Sequence, residues 1–159
     1  MDTLDTLDDR DAQALDEAEC LLLLDTVPIG RIAFTEGALP AVQPVTFARR
    51  DREVFVPTHP GSPVAAASRG AVVAFEVDQF DVDARTGWAV TVVGPSRLIA
   101  DPAEVRSLDL LGTSPWVPSG NHCYVGVQVR LVRGRWIGHR PARVPVLTPA
   151  GAGPTGRPR

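Results

Sequence analysis

The chain has 159 residues, a 44% share of hydrophobic residues and a formal net charge of −3 at neutral pH. This length suits a single domain with its own core, and the slight acidic surplus argues against nucleic acid or an anionic membrane as a partner. All 16 basic side chains are arginines, which excludes Schiff-base and lysine-nucleophile chemistry.

The cysteine spacing and the first residues indicate in which cellular compartment the protein is expected. Cys20 and Cys123 are far apart and form neither a CxxC pair nor a zinc motif, which favours two buried thiols in a reducing compartment. The first eleven residues are acidic, unlike a signal peptide, and the longest apolar run (residues 20–24) is far below the ~20 residues of a membrane span. We therefore expect a cytoplasmic protein that does not enter the membrane.

The N-terminal third predicts an arm, a helix and short strands. Residues 1–14 are interpreted as a disordered acidic arm. A helix is predicted for residues 16–25, because carboxylates occupy its first turn, leucines recur at helical spacing and Pro28 prevents its extension. The residues expected to share its buried face are Leu15, Ala18, Leu22 and Leu23, with Leu21 and Leu24 broadening that face. Strands are predicted at 30–35, 40–48 and 54–58, separated by the Glu36-Gly37 turn and a charged turn at 49–53.

The remainder predicts further strands around two helical segments. Residues 59–63 form an irregular loop, followed by one or two helical turns at 64–68. Long β stretches are predicted at 71–82 and 87–100, the second with a bend at Gly94-Pro95. A helix follows at 102–112, with Asp101 as N-cap and Pro102 at its first position. A last β stretch spans 123–137, and residues 144–159 are interpreted as a flexible Pro- and Gly-rich tail. The pattern indicates a mainly β fold with short helices (α+β).

This order of elements and several short motifs resemble the pyridoxamine 5′-phosphate oxidase-like flavoproteins. The motifs are GRIAF at 30–34, PVTF at 44–47, PTHPGS at 57–62, VAFEVD at 73–78, GWAVTVVG at 87–94 and PW at 115–116. The resemblance is greatest to an actinobacterial branch with nitroimidazole-reductase-like proteins and deazaflavin-coenzyme reductases. It implies a six-stranded antiparallel split β-barrel of the FMN-binding type over residues 15–143, which forms a homodimer with flavin sites shared between subunits.

The resemblance also implies which residues bind the cofactor. The strand with Val45, Thr46 and Phe47 would lie against the flavin ring, and the loop with Thr58, His59, Gly61 and Ser62 would hold the phosphate. The remaining implied contacts are Trp88, Val90, Trp116 and Arg135. Most of these residues have a structural alternative. These are a strand packed inside the barrel for Val45, Thr46 and Phe47, a core position for Trp88 and Val90, a loop that satisfies its own backbone for Thr58 and Ser62, a solvated loop position for His59, and a solvated strand end for Arg135.

The phosphate loop departs from the family pattern at two positions. Pro57 and Pro63 stand where family members carry basic residues, and a proline offers not even a backbone N–H. Two missing charge-assisted hydrogen bonds would cost about 3–6 kcal/mol. Arg49, Arg50, Arg69 and His59 are the candidates to compensate.

Three functional hypotheses remain open. The first is an FMN-dependent oxidoreductase that passes hydride or electrons between a reduced nicotinamide and a small planar acceptor. The second keeps the fold but uses the deazaflavin coenzyme, and the third is a non-catalytic dimeric binding or regulatory module that has lost tight flavin binding. No catalytic acid, base or nucleophile is indicated, as expected where a cofactor carries the chemistry. The carboxylates at 76–83 lack the spacing of a metal loop, so no metal is expected.

Overall fold

The computed structural model describes residues 12–116 and 120–140. Its helices and strands, in chain order, are β1 Ala12–Leu15, α1 Glu17–Leu24, β2 Ile29–Glu36, β3 Leu39–Thr46, β4 Ala48–Arg50, β5 Glu53–Thr58, α2 Pro63–Ala67, β6 Val72–Asp81, β7 Thr86–Ile99, α3 Pro102–Asp109, β8 Cys123–Gln128 and β9 Leu131–Ile137.

The strands form an antiparallel sheet that curls back on itself. Hydrogen-bonded neighbours follow the order β3-β2-β6-β7-β8-β5-β4. Only Phe47 separates β3 from β4, so the first and last members of this path are two halves of one bent strand. Counted in this way, six strands surround the core, and β9 with the short β1 extends the sheet beside β7. The predicted split-barrel fold is confirmed.

Strand β7 is where the barrel splits. It pairs with β6 over most of its length on one side, and on the other side with β9 over residues 87–93 and with β8 over residues 96–99. Gly94 lies at the change of partner, where a Cβ atom would stand 1.7 Å from the carbonyl oxygen of Gln128. The bend expected at Gly94-Pro95 is therefore a change of partner within a continuous strand.

The predicted β stretch at 123–137 is two strands instead of one. Between them the Val129 N–H donates to the Arg52 carbonyl, and the Arg130 N–H donates to the Val93 carbonyl. These bonds direct β8 and β9 to separate halves of β7. Likewise, the expected turn at 49–53 is shorter, because β4 pairs with β5 around a turn with Asp51 in the left-handed region (φ 54°).

The N-terminal helix forms as predicted, but its buried face differs. Asp16 caps α1, with Glu19 completing a capping box. Leu22 is 67% exposed and Ala18 is exposed as well, so their predicted burial is wrong, whereas Cys20 and Leu24 are buried. The helix packs on β9 where Gly134 leaves room, since a Cβ there would stand 2.5 Å from the Cys20 Sγ atom.

The acidic arm was expected to reach residue 14, but Ala12–Leu15 form strand β1 against β9. The free edge of β9 offers backbone hydrogen bonds to this segment, which its own sequence pattern does not signal. Residues 1–11 and the tail predicted at 144–159 lie outside the described residues. Helix α3 has the predicted cap, with Asp101 accepting hydrogen bonds from the backbone of Ala103 and Glu104.

Candidate functional site

A cleft of about 160 Å³ lies where the end of β3, the end of β5 and the loop after α3 meet. The residues that line it are Gln43, Pro44, Val45, Thr46, Pro57, Thr58, His59, Pro115 and Trp116. Five of the residues predicted to bind a cofactor are thus brought together: Val45, Thr46, Thr58, His59 and Trp116. Gln43, Pro44 and Pro115 were not predicted as site residues, although all three flank predicted motif residues.

Two hydroxyl groups organise the loop after β5. The Thr58 Oγ1 and Ser62 Oγ atoms are 2.8 Å apart, and Ser62 Oγ also accepts the Ala65 N–H at 3.0 Å as the N-cap of α2. The Ser62 N–H donates to the His59 carbonyl. Two hydroxyls carry two protons, and the bond between them uses one. The pair therefore satisfies its own loop and still has one proton to donate to a ligand.

The Trp116 loop is tied to the barrel at two points. The Thr46 hydroxyl donates to the Ser114 carbonyl at 2.8 Å, and the Tyr124 hydroxyl contacts the Thr113 carbonyl at 3.3 Å. Trp116 itself is 73% exposed. An exposed indole beside an anchored loop is unusual, since tryptophan is ordinarily well buried, and it marks a contact surface.

A carboxylate links α3 to β8 beside this loop. The Asp109 Oδ1 atom lies 2.8 Å from His122 Nε2 and 2.9 Å from the Tyr124 hydroxyl. The hydrogen bond with His122 and that from Tyr124 lower the pKa of Asp109, while burial raises the pKa of Tyr124 and its contact with Asp109 adds to this. The group is a structural brace for the loop, because the Asp109 carboxylate is already shared by two partners.

The arginines suggested as substitutes for the missing phosphate ligands are mostly engaged elsewhere. Arg49 forms an ion pair with Asp25, and the Arg50 guanidinium lies 5.4 Å from the centre of the Phe55 ring. Arg69 acts electrostatically on Cys123, where it opposes the burial that raises the thiol pKa. Arg69 follows α2 closely, so it is the one of the three that lies next to the loop after β5 along the chain.

The other predicted site residues lie outside this cleft. Phe47 is buried edge-on against Phe75, with ring centres 4.7 Å apart, and Trp88 and Val90 are in the core. Gly61 is exposed at the tip of the loop. Arg135 is exposed on β9, opposite Ala89 of β7. Within one chain, these five residues therefore do not join the cleft.

Two other kinds of site find no support in the described part of the chain. No group of three or more His, Cys, Asp or Glu side chains within residues 12–116 and 120–140 is arranged to hold a metal ion. Of the carboxylates at 76–83, Asp78 forms an ion pair with Arg31. None of the described helices has both the length and the apolar character needed to cross a membrane.

Comparison with known proteins identifies the family. A family model described as pyridoxamine 5′-phosphate oxidase matches residues 16–136. Uncharacterized protein Rv0080 of Mycobacterium tuberculosis is 36% identical over 130 residues, which cover 79% of this chain and 85% of that protein.

Two solved structures have the same fold. The FAD binding protein from Mycobacterium smegmatis is 29% identical with a TM-score of 0.70, over 80% of this chain and 100% of that chain. A conserved protein of unknown function from Corynebacterium diphtheriae is 28% identical with a TM-score of 0.67, over 80% of this chain and 98% of that chain. The chain belongs to the pyridoxamine 5′-phosphate oxidase family.

Proposed function

We propose that the chain is a flavin-binding protein of oxidoreductase type, with the flavin held at the cleft between β3, β5 and the Trp116 loop. The observation that carries the proposal is the convergence of Val45, Thr46, the Thr58–Ser62 hydroxyl pair and Trp116 on one cleft. The solved relative from Mycobacterium smegmatis is described as binding FAD, which supports a flavin here as well.

The residues that line the cleft are better suited to contact the ring of a flavin than to bind its phosphate. Pro44, Val45 and Trp116 offer apolar surface for a planar ring, and the Thr58–Ser62 pair can donate one hydrogen bond to an anionic oxygen. The described residues that line the cleft include no arginine. Its volume of about 160 Å³ is also below the ~300–1,000 Å³ of typical ligand pockets. The cleft of one chain therefore suits part of a flavin, and a second subunit is required to complete it.

The outer face of the sheet supports a homodimer that supplies the missing part. A row of apolar residues crosses five strands in register and comprises Val42, Ala33, Ala74, Val93 and Leu131. Val42 is 64% exposed and Leu131 is 43% exposed, so the row is open at both ends in a single chain. Burial of such a row against a second copy is favourable, and a two-fold pairing covers both copies at once.

The same face carries the cleft at one edge and arginines at the other. Side chains two residues apart on a strand point to the same side, so Pro44 and Thr46 share the face of Val42, and Arg133 and Arg135 share that of Leu131. We propose that Arg135 of a second copy meets the cleft and provides the positive charge that Pro57 and Pro63 cannot.

The first experiment is a titration of the purified protein with FMN, FAD and the deazaflavin coenzyme, followed by gel filtration and absorption spectroscopy. A retained flavin band supports the proposal, and the relative affinities distinguish FMN, our first choice, from FAD. Exclusive retention of the deazaflavin coenzyme supports the second hypothesis. If none of the three is retained, the flavin proposal is wrong and the third hypothesis, a binding or regulatory module, takes its place.

The contribution of a second subunit to the flavin site is tested with a variant of Arg135. Arg135→Ala is expected to reduce flavin affinity by about tenfold or more, the equivalent of one lost charge-assisted hydrogen bond, with no change in sedimentation. Arg106→Ala on α3 is the matched control, since that side chain is exposed but lies on a different element. A monomeric wild-type protein that retains flavin would contradict the shared site. Turnover with a reduced nicotinamide and a nitroaromatic or quinone acceptor then tests the oxidoreductase activity.

A further inference from the structure

A second cleft, of about 680 Å³, lies at the start of β7, and within residues 12–116 and 120–140 it shares no lining residue with the cleft at Thr58. It is enclosed by the end of α1, the β6–β7 hairpin and the end of β9. Its apolar lining residues include Leu23, Phe80, Val82, Trp88 and Trp136, and Asp81 and His139 are among its polar ones. Val82 and Phe80 are 85% and 50% exposed and present the most apolar surface, whereas the other three lie almost fully buried behind them.

The aromatic walls are held in place by the fold. Trp88 and Trp136 are cross-strand partners on β7 and β9, and they are 4% and 5% exposed. The Trp136 indole N–H contacts both the Thr86 hydroxyl and the His139 carbonyl at 3.2 Å, which fixes the orientation of its ring. The base of the cleft is therefore rigid, and a ligand would not have to order it.

Phe80 forms the rim of the cleft. It is 50% exposed, an unusual position for a phenyl ring, and it pairs across the hairpin with Gly87. A Cβ atom at Gly87 would stand 2.3 Å from the Phe80 Cδ1 atom, so the ring packs directly against the glycine backbone. The exposed ring is thus fixed against its own hairpin, with part of its surface open to a ligand.

The charges around the cleft select against anions. Its described lining residues include the Asp81 carboxylate and no arginine, and His139 is the one among them that can carry a positive charge. Asp81 Oδ1 accepts the Ala84 N–H at 2.9 Å, but a carboxylate has capacity for several further hydrogen bonds. Phosphate-bearing coenzymes would be repelled by this carboxylate, whereas a positive group near aromatic rings gains both ionic and cation–π attraction.

We propose that this cleft is a binding site for a planar aromatic nitrogen base of two or three fused rings, either uncharged or singly positive. Its volume lies within the ~300–1,000 Å³ range of small-molecule pockets, and aromatic side chains with a few polar groups are typical of such pockets. The site is independent of the flavin cleft, because no described residue lines both.

The test uses quinoline and N-methylquinolinium, two probes of nearly the same shape that differ in charge. They are titrated into the full chain carrying Trp116→Phe, so that the fluorescence reports on Trp88 and Trp136 alone, and binding is confirmed by calorimetry. Saturable binding of both probes is expected, with naphthalene-2-sulfonate, a planar anion, binding at least about tenfold more weakly.

Substitutions of residues that line the cleft test whether the probes bind there. Phe80→Ala is expected to weaken both probes by about tenfold. Asp81→Asn keeps the acceptor for Ala84 and is expected to weaken only N-methylquinolinium, by about threefold to fivefold. Asp83→Asn, on the same turn but outside the cleft, should change neither affinity, and circular dichroism verifies that each variant is folded.

Three results would overturn the proposal. The first is the lack of saturable binding by the full chain, and the second is binding that Phe80→Ala and Asp81→Asn leave unchanged. The third is binding that appears only in a protein that ends at Arg143, because the residues after it would then be the natural occupant. None of these results depends on whether flavin is retained, so the two proposals fail independently.

Discussion

The Thr58 hydroxyl lies 2.8 Å from the hydroxyl of Ser62, which in turn caps α2. Thr58 is only 7% exposed, so this hydrogen bond satisfies a buried polar group as well as joining the strand to the helix. A structural role and a ligand-binding role therefore fall on the same pair of side chains.

Ser62→Ala removes both the cap and the partner of Thr58. We expect a loss of about 1–2 kcal/mol of unfolding free energy, the usual cost of losing an N-cap. Flavin affinity should fall as well, because the pair loses its spare proton donor. Urea denaturation and flavin titration measure the two effects. Ser62→Thr, which retains the hydroxyl, should restore most of both, and an alanine variant of unchanged stability would contradict the capping role.

Ser68→Ala should not lower the unfolding free energy, in contrast to Ser62→Ala. The Ser68 hydroxyl is buried at the end of α2 and has no hydrogen-bond partner among the described residues. An unsatisfied buried hydroxyl costs roughly 1–3 kcal/mol. Its removal should therefore leave the unfolding free energy unchanged or raise it by up to about 1 kcal/mol. Destabilisation by more than about 1 kcal/mol in urea would show that the hydroxyl has a partner, such as a bound water.

Thr46→Val tests whether the Trp116 loop is part of the flavin site. The change removes the hydrogen bond to the Ser114 carbonyl with little change of volume. We expect a modest loss of stability, about 0.5–1.5 kcal/mol, and a several-fold loss of flavin affinity. Thr35→Val, on the neighbouring strand β2 and outside the cleft, is the control. Equal flavin affinity in both variants would show that the Trp116 loop is not part of the flavin site.

Gly94→Ala should be severely destabilising. The added Cβ atom would overlap the Gln128 carbonyl oxygen at 1.7 Å, and backbone atoms can avoid this contact only by separating β7 from the end of β8. We expect a loss above about 4 kcal/mol or no folded protein. Gly61→Ala is the control, because among the described residues no atom beyond its two chain neighbours lies within 4 Å of a Cβ there. Circular dichroism and thermal unfolding compare the two, and similar melting temperatures would refute the close approach.

The brace between α3 and β8 should weaken in acid. His122 and Tyr124 hold the pKa of Asp109 below its ordinary value of 3.8. Since the folded-state pKa is lowered, the carboxylate stabilises the fold above pH 3.8, and this contribution is lost as the pH falls through the lowered pKa. Wild type should therefore be more stable than Asp109→Asn at neutral pH, with the difference decreasing below pH 3.8. Thermal unfolding across this range is the measurement, and a constant difference would contradict the prediction.

The sequence predicts elements whose signals are local. Asp101 and Pro102 mark the start of α3, and the structure has the helix cap at that position. Strand β1 has no such signal, because only the free edge of the distant β9 makes residues 12–15 a strand. The burial of α1 is likewise decided by Gly134 and β9, which is why Leu22 was placed on the wrong face.

In the candidate site, too, the sequence predicts features with local signals and misses those that depend on distant segments. Thr58 and Ser62 are four residues apart, so one motif predicts them together, and the structure joins their hydroxyls. The motif at Trp116 predicts a contact but not the hydrogen bond from Thr46 that positions its loop. The larger cleft was not predicted at all, because it combines α1, the β6–β7 hairpin and β9, and no continuous segment carries its pattern.

Strand β7 has a consequence for the motions of the molecule. Its backbone is hydrogen-bonded to β6, β8 and β9, so its amides should exchange with solvent only when the whole domain unfolds. One end carries Trp88, and the other carries Ile99, which is linked through Tyr124 to Pro57. Trp88 lines the larger cleft and Pro57 lines the cleft at Thr58, so β7 links the two over at most about 36 Å of strand. We therefore expect β7 to keep the distance between Trp88 and Ile99 constant while the loops around the clefts move.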